Sequence, residues 1–242
     1  GQVVGLLVVL ETSTGGSDDL REALRPHLPR YALPAVVTAV GALPLRGPGK
    51  PDRRAAAALL LTEAGGADKA AERPVVSAAE VDLYTDAQNA EELRKAGANG
   101  DLNSWIKAHL SRSGRGDYVA LLAYIERDGD TIDAMQAMRL KARDARHLAT
   151  CAEFGPRFLH STGQAYKGGP DSGVFLQVTT DDPRDLAVPG QKASFGVIKA
   201  AQARGDFDVL TERGRRALRV HLKGDLTSGL AALDAAISAA LN

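Results

Sequence analysis

The sequence Asp117-Tyr-Val-Ala-Leu-Leu-Ala-Tyr-Ile125 indicates the architecture of the larger part of this chain. Its continuous run of Val, Leu, Tyr and Ile predicts a β-strand that is buried on both faces, as strands of helix-covered parallel sheets are. An amphipathic helix is predicted next, over residues 131–147, and a second apolar strand over residues 148–154. A strand, a long helix and another strand in this order indicate a right-handed crossover and parallel pairing.

The same alternation continues on both sides of this stretch. Two further strands are predicted, over residues 173–180 and 217–222. Helical spacing of apolar residues recurs in several segments: 86–95, 102–111, 194–204 with a continuation over 207–214, and 226–241. The pattern predicts an α/β domain with a doubly wound, mainly parallel sheet, and ligands of such sheets collect at the carboxyl ends of the strands.

The N-terminal part has a different pattern. We expect a buried strand over residues 2–10, a helix over residues 19–27, a short strand over residues 36–40 and a Pro- and Gly-rich loop over residues 43–52. This order is typical of a small α+β lobe, to which we assign residues 1–57. Gly65-Gly66 interrupts a weak helical pattern, so residues 58–74 are predicted to be a linker and residues 75–242 the α/β domain.

Bulk composition excludes several classes of partner. The 242 residues contain 30 Lys plus Arg and 30 Asp plus Glu, so the net charge is zero and offers no bulk attraction to nucleic acid or to an anionic membrane. No apolar run approaches the length of a membrane helix. Cys151 is the single cysteine, which fits a reducing cytoplasm. The frequent Ala and Arg suggest a bacterial source, and the absence of an initial Met suggests a fragment.

Two proline-containing motifs distinguish the N-terminal lobe. They are Leu28-Pro-Arg-Tyr-Ala-Leu-Pro34 and Leu43-Pro-Leu-Arg-Gly-Pro-Gly-Lys-Pro-Asp-Arg53. This segment resembles the C-terminal lobe of adenylation domains of nonribosomal peptide synthetases, although Pro51 stands where that family usually has Val or Leu. The resemblance implies that Lys50 enters an adenylation site, where its charge would offset that of a carboxylate and a phosphate. The alternative for Lys50 is a solvated basic loop.

Several separated motifs distinguish the larger domain. They are Phe154-Gly-Pro-Arg-Phe-Leu-His-Ser-Thr-Gly-Gln-Ala-Tyr-Lys-Gly-Gly-Pro170, Phe195-Gly-Val-Ile-Lys-Ala-Ala-Gln202 and Gly214-Arg-Arg-Ala-Leu-Arg-Val-His-Leu222. Residues 81–240 resemble the C-terminal region of bifunctional transaldolase/glucose-6-phosphate isomerases. The resemblance implies a sugar-isomerase-like fold and a phosphorylated sugar, or another small anion, as ligand. It does not supply a catalytic carboxylate, because the glutamate-bearing motifs of that family are not found here.

A cluster of polar and glycine residues follows the second strand of the predicted sheet. A glycine-rich turn can expose backbone N–H groups to an anion, and hydroxyl groups and cations can complete the site. We therefore predict phosphate contacts from Arg157, Ser161, Thr162, Gln164, Lys167, Gly168 and Gly169. His160 is the candidate proton-transfer residue, since its pKa lies near neutrality. The alternatives are a hydrogen-bonded structural role for His160, and turn formation and helix capping for the others.

Three functions are compatible with these patterns. The first, which we favour, is an accessory or sugar-phosphate-binding module of a synthetase-like fusion protein. The second is an active phosphosugar isomerase, that is, a glucose-6-phosphate isomerase. The third is a docking part of a peptide synthetase, with a synthetase protein as partner. No metal-ligand spacing and no nucleotide-binding glycine fingerprint is present, so neither a metal nor a cofactor is expected.

Overall fold

The computed structural model describes residues 5–8, 22–27, 36–40, 42–46, 50–52, 55–56, 72–189 and 193–242. Two compact units make up the chain: the first comprises residues 72–183 and 202–242, and the second comprises residues 2–71 and 184–201. The change from second to first unit at residue 72 falls inside the predicted linker. Residues 58–71 of that linker lie outside the described residues.

The second unit contains short strand pairs. Strands β1 (Gly5–Val8) and β2 (Val36–Ala39) pair in parallel, and β3 (Leu45–Arg46) pairs antiparallel with β4 (Lys50–Pro51). Residues 22–24 are helical, within the segment for which a helix is predicted. Residues 43–52 were predicted to be a loop. The structure instead places Lys50 in β4, opposite Arg46, with its side chain exposed.

A mixed sheet forms the centre of the first unit. Its six strands among the described residues follow the order β5-β6-β10-β9-β7-β8. Their bounds are β5 (Val76–Ser77), β6 (Val81–Tyr84), β7 (Tyr118–Tyr124), β8 (Ala149–Phe154), β9 (Gly173–Thr180) and β10 (Arg216–Leu222). Neighbouring strands pair in parallel from β8 to β10, whereas β6 pairs antiparallel with both β10 and β5. Mainly parallel pairing is therefore correct for four adjacent strands, and β5 and β6 make the whole sheet mixed.

Helices cover both faces of this sheet. They are α1 (Ala87–Lys95), α2 (Leu102–Ser111), α3 (Gly129–Arg146), α4 (Thr162–Gly168), α5 (Phe195–Glu212) and α6 (Leu226–Leu241). One core packs the sheet against α1, α2, α3 and α6, through side chains such as Leu93, Trp105, Met135 and Leu233. The other core packs it against α4, α5 and a 3-10 turn, through Tyr166, Phe207 and Phe158 among others. The chain is thus an α/β protein, as its sequence predicts.

Local sequence signals set several helix ends. The Asp128 carboxylate accepts a hydrogen bond from the Thr131 amide and the Thr131 hydroxyl accepts one from the Asp128 amide, which forms a capping box at the start of α3. Asp86, Asp101 and Asp225 cap α1, α2 and α6 through their carboxylates as well. Among the described residues, no helix combines the length and the apolar character that crossing a membrane requires.

Candidate functional site

The two faces of the central sheet differ in chemistry. The face toward α2, α3 and α6 is apolar over its centre, with the fully buried Leu83, Val178 and Val220 as examples, and has polar residues such as Arg216 and Thr150 only toward the strand ends. The face toward α5 carries polar side chains on four neighbouring strands. They are Asp82 and Tyr84 on β6, Arg219 and His221 on β10, Gln177 and Thr179 on β9, and Tyr124 on β7. Polar side chains of the sheet centre therefore lie on this second face.

The outermost row of this polar face lies at the carboxyl ends of the parallel strands. His221 is in register with Asp82 on one side and with Thr179 on the other. His221 Nδ1 lies 3.1 Å from the Thr179 hydroxyl, and Nε2 lies 3.6 Å from a carboxylate oxygen of Asp181, the first residue after β9. The imidazole is 23% exposed, so it is held by protein groups and still accessible to a ligand.

Asp82 is kept ionised by its neighbours. The Ser77 hydroxyl donates to Asp82 Oδ1 over 2.5 Å, and Lys223 Nζ lies 2.9 Å from the same oxygen. Burial acts to raise the pKa of Asp82, but these two hydrogen bonds and the charges of Lys223 and His221 bring it below its ordinary value. Lys223 also donates to the Ala78 carbonyl over 2.5 Å. Lys223 is therefore held by strand β6 and by the turn between β5 and β6.

A second row lies deeper on the same face. The Arg219 guanidinium stacks over the Tyr84 ring at 4.5 Å and pairs with the Glu72 carboxylate, which also binds Arg204 at 2.8 Å. Gln177 is 1% exposed and donates from Nε2 to the Ala203 carbonyl over 2.9 Å. Within the described residues, its Oε1 atom has no hydrogen-bond partner.

The segment predicted to be a glycine-rich turn is helical. It forms the 3-10 turn Arg157–His160 and helix α4. The amides of Ser161, Gln164 and Gly169 donate to the carbonyls of Phe158, Ser161 and Ala165, respectively. Gly169 is required by close packing, because a Cβ atom there would lie 2.6 Å from the Ala165 carbonyl oxygen. The amides of these three residues are thus used to form the turn and the helix.

The side chains of the predicted phosphate residues lie in different environments. Those of Arg157, His160, Ser161, Thr162 and Gln164 are exposed. The Ser161 hydroxyl donates to the Phe158 carbonyl at 3.2 Å, and Gln164 Nε2 donates to the Leu159 carbonyl at 2.6 Å. Gly168 is exposed at the last position of α4, where a Cβ atom would meet nothing within 4 Å. The structure brings these residues together on one short segment.

The exception is Lys167, which is buried in an ion pair. Its Nζ atom lies 2.6 Å from Asp206 Oδ1, and the side chains are 7% and 2% exposed. The Tyr124 hydroxyl donates to the other oxygen of Asp206 over 3.2 Å. Burial and the charge of Asp206 raise the pKa of Tyr124, so this phenol stays protonated. Contact between Lys167 and a phosphate would require that the lysine leave Asp206.

A carboxylate that sequence reasoning missed lies beside the predicted residues. The Thr162 hydroxyl donates to Glu153 Oε2 over 2.5 Å, and the Tyr166 hydroxyl donates to Glu153 Oε1 over 2.9 Å. The Tyr166 oxygen is also 3.2 Å from Cys151 Sγ. Burial is the main reason why the pKa of Cys151 is raised, which keeps its thiol protonated. The sequence places Glu153 in the second predicted strand and gives no sign of these contacts.

Two exposed arginines follow neighbouring parallel strands. Arg127 follows β7 and its guanidinium lies 5.8 Å from the centre of the Phe154 ring, whereas Arg157 follows β8. In the described part of the chain, neither side chain forms an ion pair. The helix that follows β7 and the helix that follows β9 pack on opposite faces of the sheet, so the order of the strands reverses between β7 and β9. Ligands of open α/β sheets bind at such reversal points.

No protein family model matches the chain, and no curated protein matches it. Among solved structures, the chain is similar to the crystal structure of a hypothetical protein from Thermus thermophilus, with 14% identity and a TM-score of 0.49. The match covers 64% of this chain and 42% of that chain, so this chain spans less than half the length of that neighbour.

Proposed function

We propose that the first unit is an accessory module that binds a phosphorylated sugar at the carboxyl ends of strands β7 to β10. One observation carries this proposal. The same edge of the sheet presents exposed arginines, Arg127 and Arg157, beyond two strands, and a row of hydrogen-bonding groups around His221 at the next two. A phosphosugar needs both, because its phosphate requires cations and its hydroxyl groups require acceptors and donors.

The arginines suit the phosphate end of such a ligand. A guanidinium can bind a phosphate through two parallel hydrogen bonds, and these bonds are stronger than those between neutral groups. Arg157 is among the residues for which the sequence predicts phosphate contact, and it is exposed immediately beyond β8. The resemblance of residues 81–240 to transaldolase/glucose-6-phosphate isomerases supports the same class of ligand and a sugar-isomerase-like fold. Isomerase activity and docking to a peptide synthetase remain predictions from the sequence.

Calorimetric titration tests the proposal. The whole chain would be titrated with fructose 6-phosphate and 6-phosphogluconate, and in parallel with fructose and gluconate, which lack the phosphate. We expect heat of binding with at least one phosphorylated compound and none with its unphosphorylated counterpart. Binding of neither phosphosugar at millimolar concentration would remove the proposal.

A pair of matched variants locates the phosphate. Arg157→Gln should weaken phosphosugar binding at least tenfold, because it removes a cation from the carboxyl edge. Arg143→Gln causes the same change in net charge. Arg143, however, lies near the end of α3, at the amino ends of the parallel strands, where it pairs with Asp144. This second variant should bind with unchanged affinity. Equal weakening in both variants would show a non-specific charge effect in place of a site.

A further inference from the structure

Asp82, His221 and Thr179 form a row across strands β6, β10 and β9, whereas the two arginines follow β7 and β8. Both groups lie at the carboxyl ends of the parallel strands. We propose that this row, with Asp181, is a subsite for the hydroxyl groups of the ligand, so that the sugar lies across the strand ends with its phosphate toward Arg127 and Arg157. The inference rests on the proposed function and adds to it the direction in which the ligand binds.

Charge decides which end of the ligand this subsite takes. Asp82 is ionised, and Asp181 lies 3.6 Å from His221, so carboxylates flank the imidazole on two sides. Lys223 is already paired with Asp82. Because Asp82 and Asp181 offset the cations of this row, it offers no surplus positive charge to a phosphate, whereas neutral hydroxyl groups can donate to the carboxylates and exchange hydrogen bonds with His221 and Thr179.

A second observation, independent of these charges, is a buried acceptor directly behind this row. Gln177 lies one row behind Thr179 on the same face of β9. Its buried Oε1 atom lacks a hydrogen-bond partner within the described residues, although its Nε2 atom has one. Because a buried acceptor without a donor is unfavourable, a hydroxyl group or a water that it holds would complete this amide.

The spacing of the strands fits the proposed direction. Arg127 follows β7 and His221 lies on β10, with β9 between them. The Arg127 guanidinium lies near the Phe154 ring of β8, and Arg157 also follows β8, so the arginine groups are three strand spacings from β10, about 14 Å. A hexose phosphate with a hydrogen bond of about 3 Å at each end covers this distance. A ligand that lies across the strand ends can therefore meet a cation at one end and the His221 row at the other.

The test compares two ligands on the same variants. His221→Gln and Thr179→Val would be titrated with fructose 6-phosphate and with inorganic phosphate, which has no sugar hydroxyl groups. We expect each substitution to weaken fructose 6-phosphate at least fivefold and to leave phosphate affinity unchanged. His147→Asn is the control, because His147 is an exposed histidine between α3 and β8, at the amino ends of the parallel strands. This control substitution should change neither affinity.

The possible results separate this inference from the proposed function. Unchanged affinity for fructose 6-phosphate in both variants, or equal losses for both ligands in variants whose circular dichroism is native, would overturn the hydroxyl subsite while phosphosugar binding still stood. Failure of the unsubstituted chain to bind either phosphorylated compound would instead overturn the proposed function itself.

Discussion

Lys167 Nζ and Asp206 Oδ1 lie 2.6 Å apart, between helices α4 and α5, with both side chains almost fully buried. The Tyr124 hydroxyl binds the same carboxylate, so this network also reaches the end of β7. An ion pair in such a place compensates for the loss of hydration of each charge, and neither partner is well tolerated alone. The contact therefore fixes α4, and with it the exposed residues of the predicted phosphate segment, against the sheet.

Breaking this pair should cost much of the stability of the first unit. Lys167→Met leaves the Asp206 carboxylate buried without its cation, and we expect a loss of about 3–5 kcal/mol in the free energy of unfolding. The double variant Lys167→Met with Asp206→Asn removes both charges and keeps an acceptor for Tyr124, so it should recover at least half of that loss. Urea denaturation followed by circular dichroism measures both. A single variant within about 1 kcal/mol of the parent would contradict the structure.

Acid should destabilise the chain through His109. Full burial, together with the charge of Arg112, lowers the pKa of His109 to about 3 from an ordinary 6.5, and Nε2 lies 3.0 Å from the Phe175 carbonyl oxygen. The unfolded chain binds a proton here below pH 6.5, whereas the folded chain does not until about pH 3, so stability falls as pH falls through this window. By this linkage the contribution lost at pH 5 is about 2 kcal/mol.

The matched variant for this prediction is His109→Gln, whose side-chain amide can still donate to the Phe175 carbonyl. Urea denaturation at pH 7 and pH 5 should show a smaller difference in stability for the variant than for the parent chain. An identical difference in both would mean that His109 does not titrate as its burial requires.

Close packing at the start of β9 should make Gly173 intolerant of substitution. A Cβ atom there would lie 2.2 Å from Phe175 Cζ and 2.8 Å from the Tyr118 hydroxyl. We expect Gly173→Ala to lower stability by about 1–3 kcal/mol, as overpacking of a core does. Gly129→Ala is the control, since a Cβ atom there meets nothing within 4 Å at the start of α3. It should be neutral or slightly stabilising in the same thermal unfolding experiment.

The ion pair of Asp117 with Arg216 should depend on the shape of the guanidinium. Arg216 donates to the two carboxylate oxygens of Asp117 over 2.7 and 3.0 Å, and also to the carbonyls of Arg112 and Asp171. These hydrogen bonds from Arg216 are the largest cause of the lowered pKa of Asp117. Arg216→Lys keeps the charge but loses the bidentate hydrogen bonds to Asp117. It should therefore lower the free energy of unfolding by about 1–3 kcal/mol and raise the pKa of Asp117.

Nuclear magnetic resonance titration of the Asp117 carboxylate checks the direction of that shift, and thermal unfolding checks the stability. The control is Arg143→Lys, because Arg143 pairs with Asp144 on an exposed helix surface and such pairs contribute little. A change in Asp117 no larger in Arg216→Lys than in this control would contradict the geometry.

Strong local patterns made much of the fold predictable. The predicted strand over residues 173–180 and helices over residues 102–111 and 226–241 coincide with β9, α2 and α6. Strands β5 and β6 were missed because they are short and take their place from pairing, β6 with β10 and β5 with β6. The segment around Ser161 was predicted to be a turn from its glycines, but packing of Phe158 and Tyr166 into the core makes it helical.

The candidate site was less predictable, since its residues come from separate strands. The sequence makes His221 appear isolated, with Thr179 and Asp82 far away along the chain. Only the register of β9, β10 and β6 brings the three together. In the same way, the sequence around Lys167 does not predict its ion pair with Asp206, because that contact depends on how α4 and α5 pack on one face of the sheet.

A crystal structure of the chain with 6-phosphogluconate would show where the ligand binds and in which direction. We expect electron density across the carboxyl ends of the parallel strands, with the phosphate near Arg127 and Arg157 and the hydroxyl groups near His221. Density at another surface of the first unit, or no bound ligand in crystals soaked at millimolar concentration, would contradict it.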